Sequence, residues 1–205
     1  MLVLCIGCLD NINVFAQNTL PAKDAISIGS AVTLPSGKGE NDFTDLHKNT
    51  FCFTADANYR HFLSPHAAVG ATYQFYGTHS GKDLFRCHYI APTLTFRALQ
   101  NEATSSLYFT VGAGYFHYAD RIHSRTAANH TFNHGYFGTS ISLGYEWMIG
   151  KSISTQLHLD FLSAKWGENP DYEPKWQRED PNVPETMFEP KMSFVSLGLD
   201  LQFGK

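Results

Sequence analysis

Eight stretches of this chain alternate apolar residues with small or polar ones at every second position. That period admits little besides β-strands, because successive strand side chains point to opposite faces. From Asp24 to Leu34, Ile26, Ile28, Val32 and Leu34 share one face, and Ser27, Gly29, Ala31 and Thr33 the other. Between Thr50 and Arg60, Phe51, Phe53, Ala55, Ala57 and Tyr59 oppose Cys52, Thr54, Asp56, Asn58 and Arg60. The third segment sets Val69, Ala71, Tyr73 and Phe75 against Gly70, Thr72, Gln74 and Tyr76. The fourth sets Ile90, Pro92, Leu94 and Phe96 against Tyr89, Ala91, Thr93, Thr95 and Arg97, with a bulge expected at Pro92, which cannot donate to a ladder.

The fifth segment has Leu107, Phe109, Val111, Ala113 and Tyr115 on its apolar face, and the sixth has Phe137, Thr139, Ile141, Leu143, Tyr145 and Trp147. The seventh places Ile153, Leu157, Leu159 and Phe161 opposite Ser154, Gln156, His158 and Asp160. The last places Val195, Leu197, Leu199, Leu201 and Phe203 opposite Ser196, Gly198, Asp200 and Gln202. No apolar face carries a charged residue, and no run of about 18 apolar residues offers a membrane-spanning helix, so residence in a membrane must come from strands.

Connections reinforce this reading. Those near residues 61–66, 99–105 and 148–152 are short, those near 35–49, 119–134 and 163–191 are long, and the one near 77–86 is intermediate. Such alternation is that of an up-and-down transmembrane barrel with short turns on one side and long loops on the other. An even strand number closes the sheet without edges and puts both termini on the short-turn side. Tyr59, Phe75, Tyr145, Trp147 and Phe203, near segment ends with outward parity, suit the membrane–water interfaces.

Composition agrees: 17% charged residues, 14% aromatic and 16 glycines suit strands packed against an apolar medium, and 205 residues fit one domain. A net charge of −4 leaves no basic surface for a phosphate backbone, so nucleic acid is excluded as a partner. Residues 1–17, MLVLCIGCLDNINVFAQ, read as a signal peptide, with lipid attachment at Cys8 a weaker alternative, and the barrel domain is expected over 24–203. Cys52 and Cys87, at no metal-ligand spacing, are expected as interior side chains rather than a bridge.

The eight alternating segments, the rhythm of connections and the closing MSFVSLGLDLQF resemble the small, about eight-stranded bacterial outer-membrane β-barrel proteins, such as the transmembrane domain of outer membrane protein A. The resemblance spans Asp24 to Phe203 and departs from the family in that Gly204 and Lys205 follow the final aromatic. It implies an all-β antiparallel barrel in the outer membrane of a Gram-negative cell, in contact with membrane lipid, lipopolysaccharide and the barrel assembly machinery. No active-site signature comes with it.

By parity Asp56, Arg60, Arg97, Glu146, His158 and Asp160 face inward, as a network of paired charges plugging a lumen that eight strands make just wide enough for side chains. A wide, porin-like channel is disfavoured. The long stretch from residue 163 to 191 holds five of the nine prolines and both Trp166 and Trp176, which are candidates for carbohydrate or protein contact. Between Lys165 and Glu189 it has seven acids against three bases. No cofactor or metal is expected: His117, His123, His130 and His134 cluster around one loop without ligand spacing.

Two other functions compete with a non-enzymatic envelope or surface-contact role. A lipid A-modifying enzyme would use His79 with Ser80, or His123 with Ser124, helped by Asp120 or Glu168, although neighbours on a strand face opposite ways. A soluble lipocalin-like carrier would turn the apolar face inward, which would crowd its cavity with Phe and Leu.

Overall fold

The computed structural model describes residues 23–36, 51–80, 83–100, 104–122, 130–165 and 191–204. All eight expected strands form: β1 (Asp24–Ser36), β2 (Cys52–Ser64), β3 (Ala67–Ser80), β4 (Asp83–Gln100), β5 (Ser105–Ile122), β6 (His130–Met148), β7 (Ile153–Lys165) and β8 (Lys191–Gly204). Each pairs antiparallel with its sequence neighbours, and β1 pairs β8 from Ala25↔Gly204 to Ser36↔Ser193, so the sheet closes into an eight-stranded barrel with no edge.

Alternation sets which face is which. Ile28 is 54% exposed and Leu199 52%, while their neighbours Ser27 and Asp200 are buried. Ile26, Val32, Phe53, Ile90, Leu143 and Leu197 continue the exposed apolar surface around the barrel. A continuous apolar exterior around a polar interior is unstable in water and stable in lipid, where every strand backbone group is already paired within the closed ladder. The soluble carrier, which needs the opposite polarity, is thereby excluded.

Three details differ from the sequence expectation. First, β3 and β4 run to Ser80 and Asp83, so only residues 81 and 82 separate them where a longer connection was expected at 77–86. Likewise β5 extends to Ile122 and β6 begins at His130, inside the stretch expected as a loop. About 9–11 tilted residues cross the hydrocarbon, whereas β4, β5 and β6 have 18, 18 and 19. Beyond the apolar belt nothing requires one greasy face, so paired strands continue there without the alternation that reveals them in sequence.

Second, Pro92 makes no bulge. The β4–β5 ladder lapses between Ile90↔Tyr115 and Thr93↔Gly112 and resumes in the same register. Within this gap the strands lie so close that a Cβ on Gly114, which faces Ala91 beside the proline, would sit 2.2 Å from the Ile90 carbonyl oxygen. Third, the register does shift between Phe62 and Ser64 at the β2–β3 turn. Bulges of this kind bend a strand at a sheet rim.

The lumen is layered. At the end from which the long connections leave, Tyr76, Phe116, Leu162 and Phe194 form an apolar cluster with Cys52 and Cys87, both buried and outside any disulfide. Tyr76 and Phe194 stack with ring centroids 4.8 Å apart. At the end carrying the termini, Ala25, Phe62, Ala68 and Tyr108 form a smaller apolar group. Polar side chains fill the space between.

Candidate functional site

All six charged residues placed inward by parity are buried in the lumen: Asp56, Arg60, Arg97, Glu146, His158 and Asp160. Trp166 and Trp176 lie outside the described residues, as do the 1–17 segment, His123, Ser124 and Glu168. His79 and Ser80 are successive β3 residues paired with Leu84 and Asp83, not loop residues, and a strand offers successive residues to opposite faces. Asp120 is likewise a strand residue, on β5, paired with Phe132.

The six charges divide into two groups. In the first, Glu146 on β6 accepts hydrogen bonds from Ser106 Oγ at 2.7 Å, from Gln202 Nε2 at 2.6 Å, and from the hydroxyls of Tyr108 and Ser154. Arg60 Nη1 donates to Gln156 Oε1 at 2.9 Å and Gln202 Oε1 at 2.6 Å, and its guanidinium lies 4.7 Å from the Tyr108 ring centroid. Arg97 lies 4.2 Å from the Phe62 ring centroid and 5.5 Å from that of Tyr108. The pairing thus differs from the expected salt bridges: among the described residues neither arginine bridges to a carboxylate. Amide and hydroxyl donors satisfy Glu146, while glutamine oxygens and aromatic faces receive the arginines.

In the second group, His158 on β7 meets three carboxylates. Its Nδ1 lies 2.9 Å from Asp160 Oδ2, and its Nε2 lies 2.9 Å from Asp200 Oδ1 and 4.0 Å from Asp56 Oδ2. Register brings the acids together. Gly29 on β1 is paired with Asp56 on one side and Asp200 on the other, so the two carboxylates flank one glycine across three strands. A Cβ on Gly29 would lie 1.9 Å from Asp200 Oδ1, and one on Gly198 would lie 2.4 Å from His158 Nε2. These lumen glycines supply the space that the carboxylate and the imidazole occupy.

Neutral donors answer part of this charge. Ser27 Oγ donates to Asp200 Oδ2 at 3.1 Å, Asn58 Nδ2 to Asp56 Oδ1 at 3.0 Å, and Gln74 Nε2 to Asp160 Oδ2 at 3.3 Å. Among the described residues Asp56 Oδ2, Asp200 Oδ1 and His158 Nε2 have no aligned hydrogen-bond partner, although all three are buried. A cavity of about 30 Å³ adjoins His158 and Asp200, lined also by Asn58, Thr72, Gln74 and Asp160 among others. That volume holds one or two waters or a single ion.

Asp200 is the residue that completes this group and that a search for inward charges left out, although its parity in β8 already turned it inward. Its partner across β1 is 144 positions earlier in the chain, and only closure of the barrel sets the two side by side.

On the outside, toward the loop end, a second polar set interrupts the apolar surface. Tyr73 OH lies 2.8 Å from His88 Nδ1, and the His88 ring is 5.2 Å from Phe75 and 6.0 Å from His117. Amphipathic rings gathered in this way suit the interface between hydrocarbon and headgroups. At the opposite end Tyr59 OH donates to Asp24 Oδ1 at 2.7 Å, and Trp147 lies 5.9 Å from Tyr145.

No protein-family model matches the chain, and no curated protein matches it by sequence. Solved structures do. Neisserial surface protein A aligns over 90% of this chain and 98% of its own, with a TM-score of 0.63 and 7% identity. Ail, the attachment invasion locus protein of Yersinia pestis, in complex with the heparin analogue sucrose octasulfate, aligns over 89% and 99% with a TM-score of 0.53 and 13% identity. The outer membrane protein OprG of Pseudomonas aeruginosa aligns over 90% and 98% with a TM-score of 0.52 and 10% identity. At such identities the likeness is one of fold. The chain has the closed eight-stranded fold of the small bacterial outer-membrane β-barrels, with the apolar exterior that this fold turns to lipid.

Proposed function

We propose that the protein is a non-enzymatic outer-membrane barrel that is closed to permeants and serves the envelope structurally or meets surface partners through its external loops. The observation that carries this reading is the filled lumen. Hydrogen-bonded side chains occupy its middle, Tyr76, Phe116 and Phe194 cross its loop end, and the described polar cavity is only about 30 Å³. A solute path would have to displace both layers.

In this reading membrane lipid and lipopolysaccharide surround the belt, the assembly machinery inserts the barrel, residues 1–17 direct export, and Trp166 and Trp176 serve carbohydrate or protein contact. Ail is described with a heparin analogue, but a highly sulfated ligand does not carry over to this chain. Its net charge is −4, and residues 165–189 have seven acids against three bases. A neutral or basic partner fits that loop better.

Two measurements on the full-length protein test the proposal. In planar bilayers the purified barrel is expected to give no stable conductance steps, and lipid A masses from cells overproducing it are expected to match those from control cells. Reproducible unitary steps, or a lipid A species that depends on His79, would overturn it.

A further inference from the structure

We propose that Asp56, His158 and Asp200 form a divalent metal site inside the lumen, with Asp160 positioning the imidazole. One donor atom from each of the three residues lies within 4.8 Å of the others, and all three side chains are more than nine-tenths buried. Metal bonds of about 2.0–2.2 Å place donor pairs roughly 3–4 Å apart. His158 Nε2 stands 2.9 Å from Asp200 Oδ1 and 4.0 Å from Asp56 Oδ2.

Two independent observations converge on these atoms, and the charge of the lumen is consistent with them. The first is that Asp56 Oδ2, Asp200 Oδ1 and His158 Nε2, the donors a metal would use, are three of the five buried side-chain atoms left without an aligned partner among the described residues, the others being Arg97 Nε and Nη1, whereas the other oxygens of both aspartates accept from Asn58 and Ser27. Leaving buried acceptors unanswered is costly, and such atoms point to something that binds them.

The second is that Asp160 Oδ2 lies 2.9 Å from His158 Nδ1. Metal-bound histidines are held by a carboxylate on the opposite ring nitrogen in this way, which fixes the ring and directs the free nitrogen at the ion.

Formal charge is consistent with both. The buried ionisable groups of the described lumen are four carboxylates, Asp56, Glu146, Asp160 and Asp200, and two guanidiniums, Arg60 and Arg97, with His158. Were His158 neutral, as a ligand must be, and the carboxylates ionised, the lumen would carry −2, which one divalent ion would cancel.

The donor set of one imidazole nitrogen and two carboxylate oxygens selects a borderline transition metal such as Zn²⁺ over Mg²⁺ or Ca²⁺, which take oxygen ligands. Water in the adjoining cavity would complete the coordination. Since apolar clusters cross the lumen at both ends, the ion would enter as the barrel closes.

The test follows from that. The untagged full chain is folded into detergent with Zn²⁺, desalted into metal-free buffer and assayed for bound zinc, with folding verified by gel mobility before and after boiling. The expected result is about one zinc per folded barrel, lost in both His158→Gln and the double variant Asp56→Asn/Asp200→Asn. His117, His123, His130 and His134 are unchanged in every variant, so zinc held by those histidines persists there. Less than about a tenth of an equivalent in the wild type, or undiminished zinc in folded lumen variants, overturns the site. Should those variants fail to fold, Asp160→Asn decides: it keeps all three ligands, and zinc affinity is expected to fall about 10- to 100-fold, whereas unchanged affinity counts against the proposal.

Discussion

Glu146 and the aspartates around His158 are buried acids in one lumen, with Gln156 on β7 paired to Glu146 on one side and Asp200 on the other, yet their surroundings differ in kind. Glu146 receives four neutral donors, from Ser106, Tyr108, Ser154 and Gln202. Asp56, Asp160 and Asp200 share one imidazole, and two carboxylate oxygens and one ring nitrogen of that group, all buried, find no aligned partner. A buried carboxylate can be stabilised by hydrogen bonds alone when the donors converge. Where like charges gather, a proton or a cation relieves the repulsion. The first cluster therefore reads as structure and the second as a place to bind.

The contrast can be broken by substitution. Glu146→Ala is expected to have the largest effect, about 3–5 kcal/mol of lost stability, because it leaves several buried donors without an acceptor; urea unfolding in detergent measures it. Placing a charge on the outer face, as in Leu199→Arg, is expected to cost about 2–4 kcal/mol if that residue lies near the bilayer midplane. Folding into lipid vesicles reads this out, and a neutral effect would argue that the face does not meet lipid.

Gly198→Ala comes next, at about 1–3 kcal/mol, because its Cβ would lie 2.4 Å from His158 Nε2. The imidazole must move, so the same variant should also lower zinc retention. Asp56→Asn, studied with chelator present, should have the smallest effect and the opposite sign, a gain within about 1 kcal/mol, since it relieves repulsion among three aspartates. If it destabilises as strongly as Glu146→Ala, the two clusters are alike and the contrast fails.

Parity made the facing of nearly every transmembrane residue legible in the sequence, since one greasy and one polar side recur at period two. Ile28 outward and Asp56 inward need no structure to assign. Height along the barrel axis was not legible, because it depends on the register of eight ladders. That is why Arg60 and Arg97, known to face inward, were expected beside carboxylates and instead meet glutamine oxygens and the rings of Phe62 and Tyr108. It is also why Asp200 was not grouped with Asp56 until β1 was seen to lie between them, with Gly29 paired to both. Strand ends such as Thr78–Ser80 escaped for a different reason: a ribbon outside the membrane has no apolar face to announce it.

The central claim is a closed barrel with its apolar face in lipid, and heat modifiability tests it most directly. The outer-membrane fraction is run on a denaturing gel with and without boiling, and the mobility of this protein is compared. The account predicts a band in that fraction which migrates differently unboiled, as a barrel whose edgeless ladder resists the detergent. A protein found in the soluble fraction, with one mobility under both conditions, would contradict it.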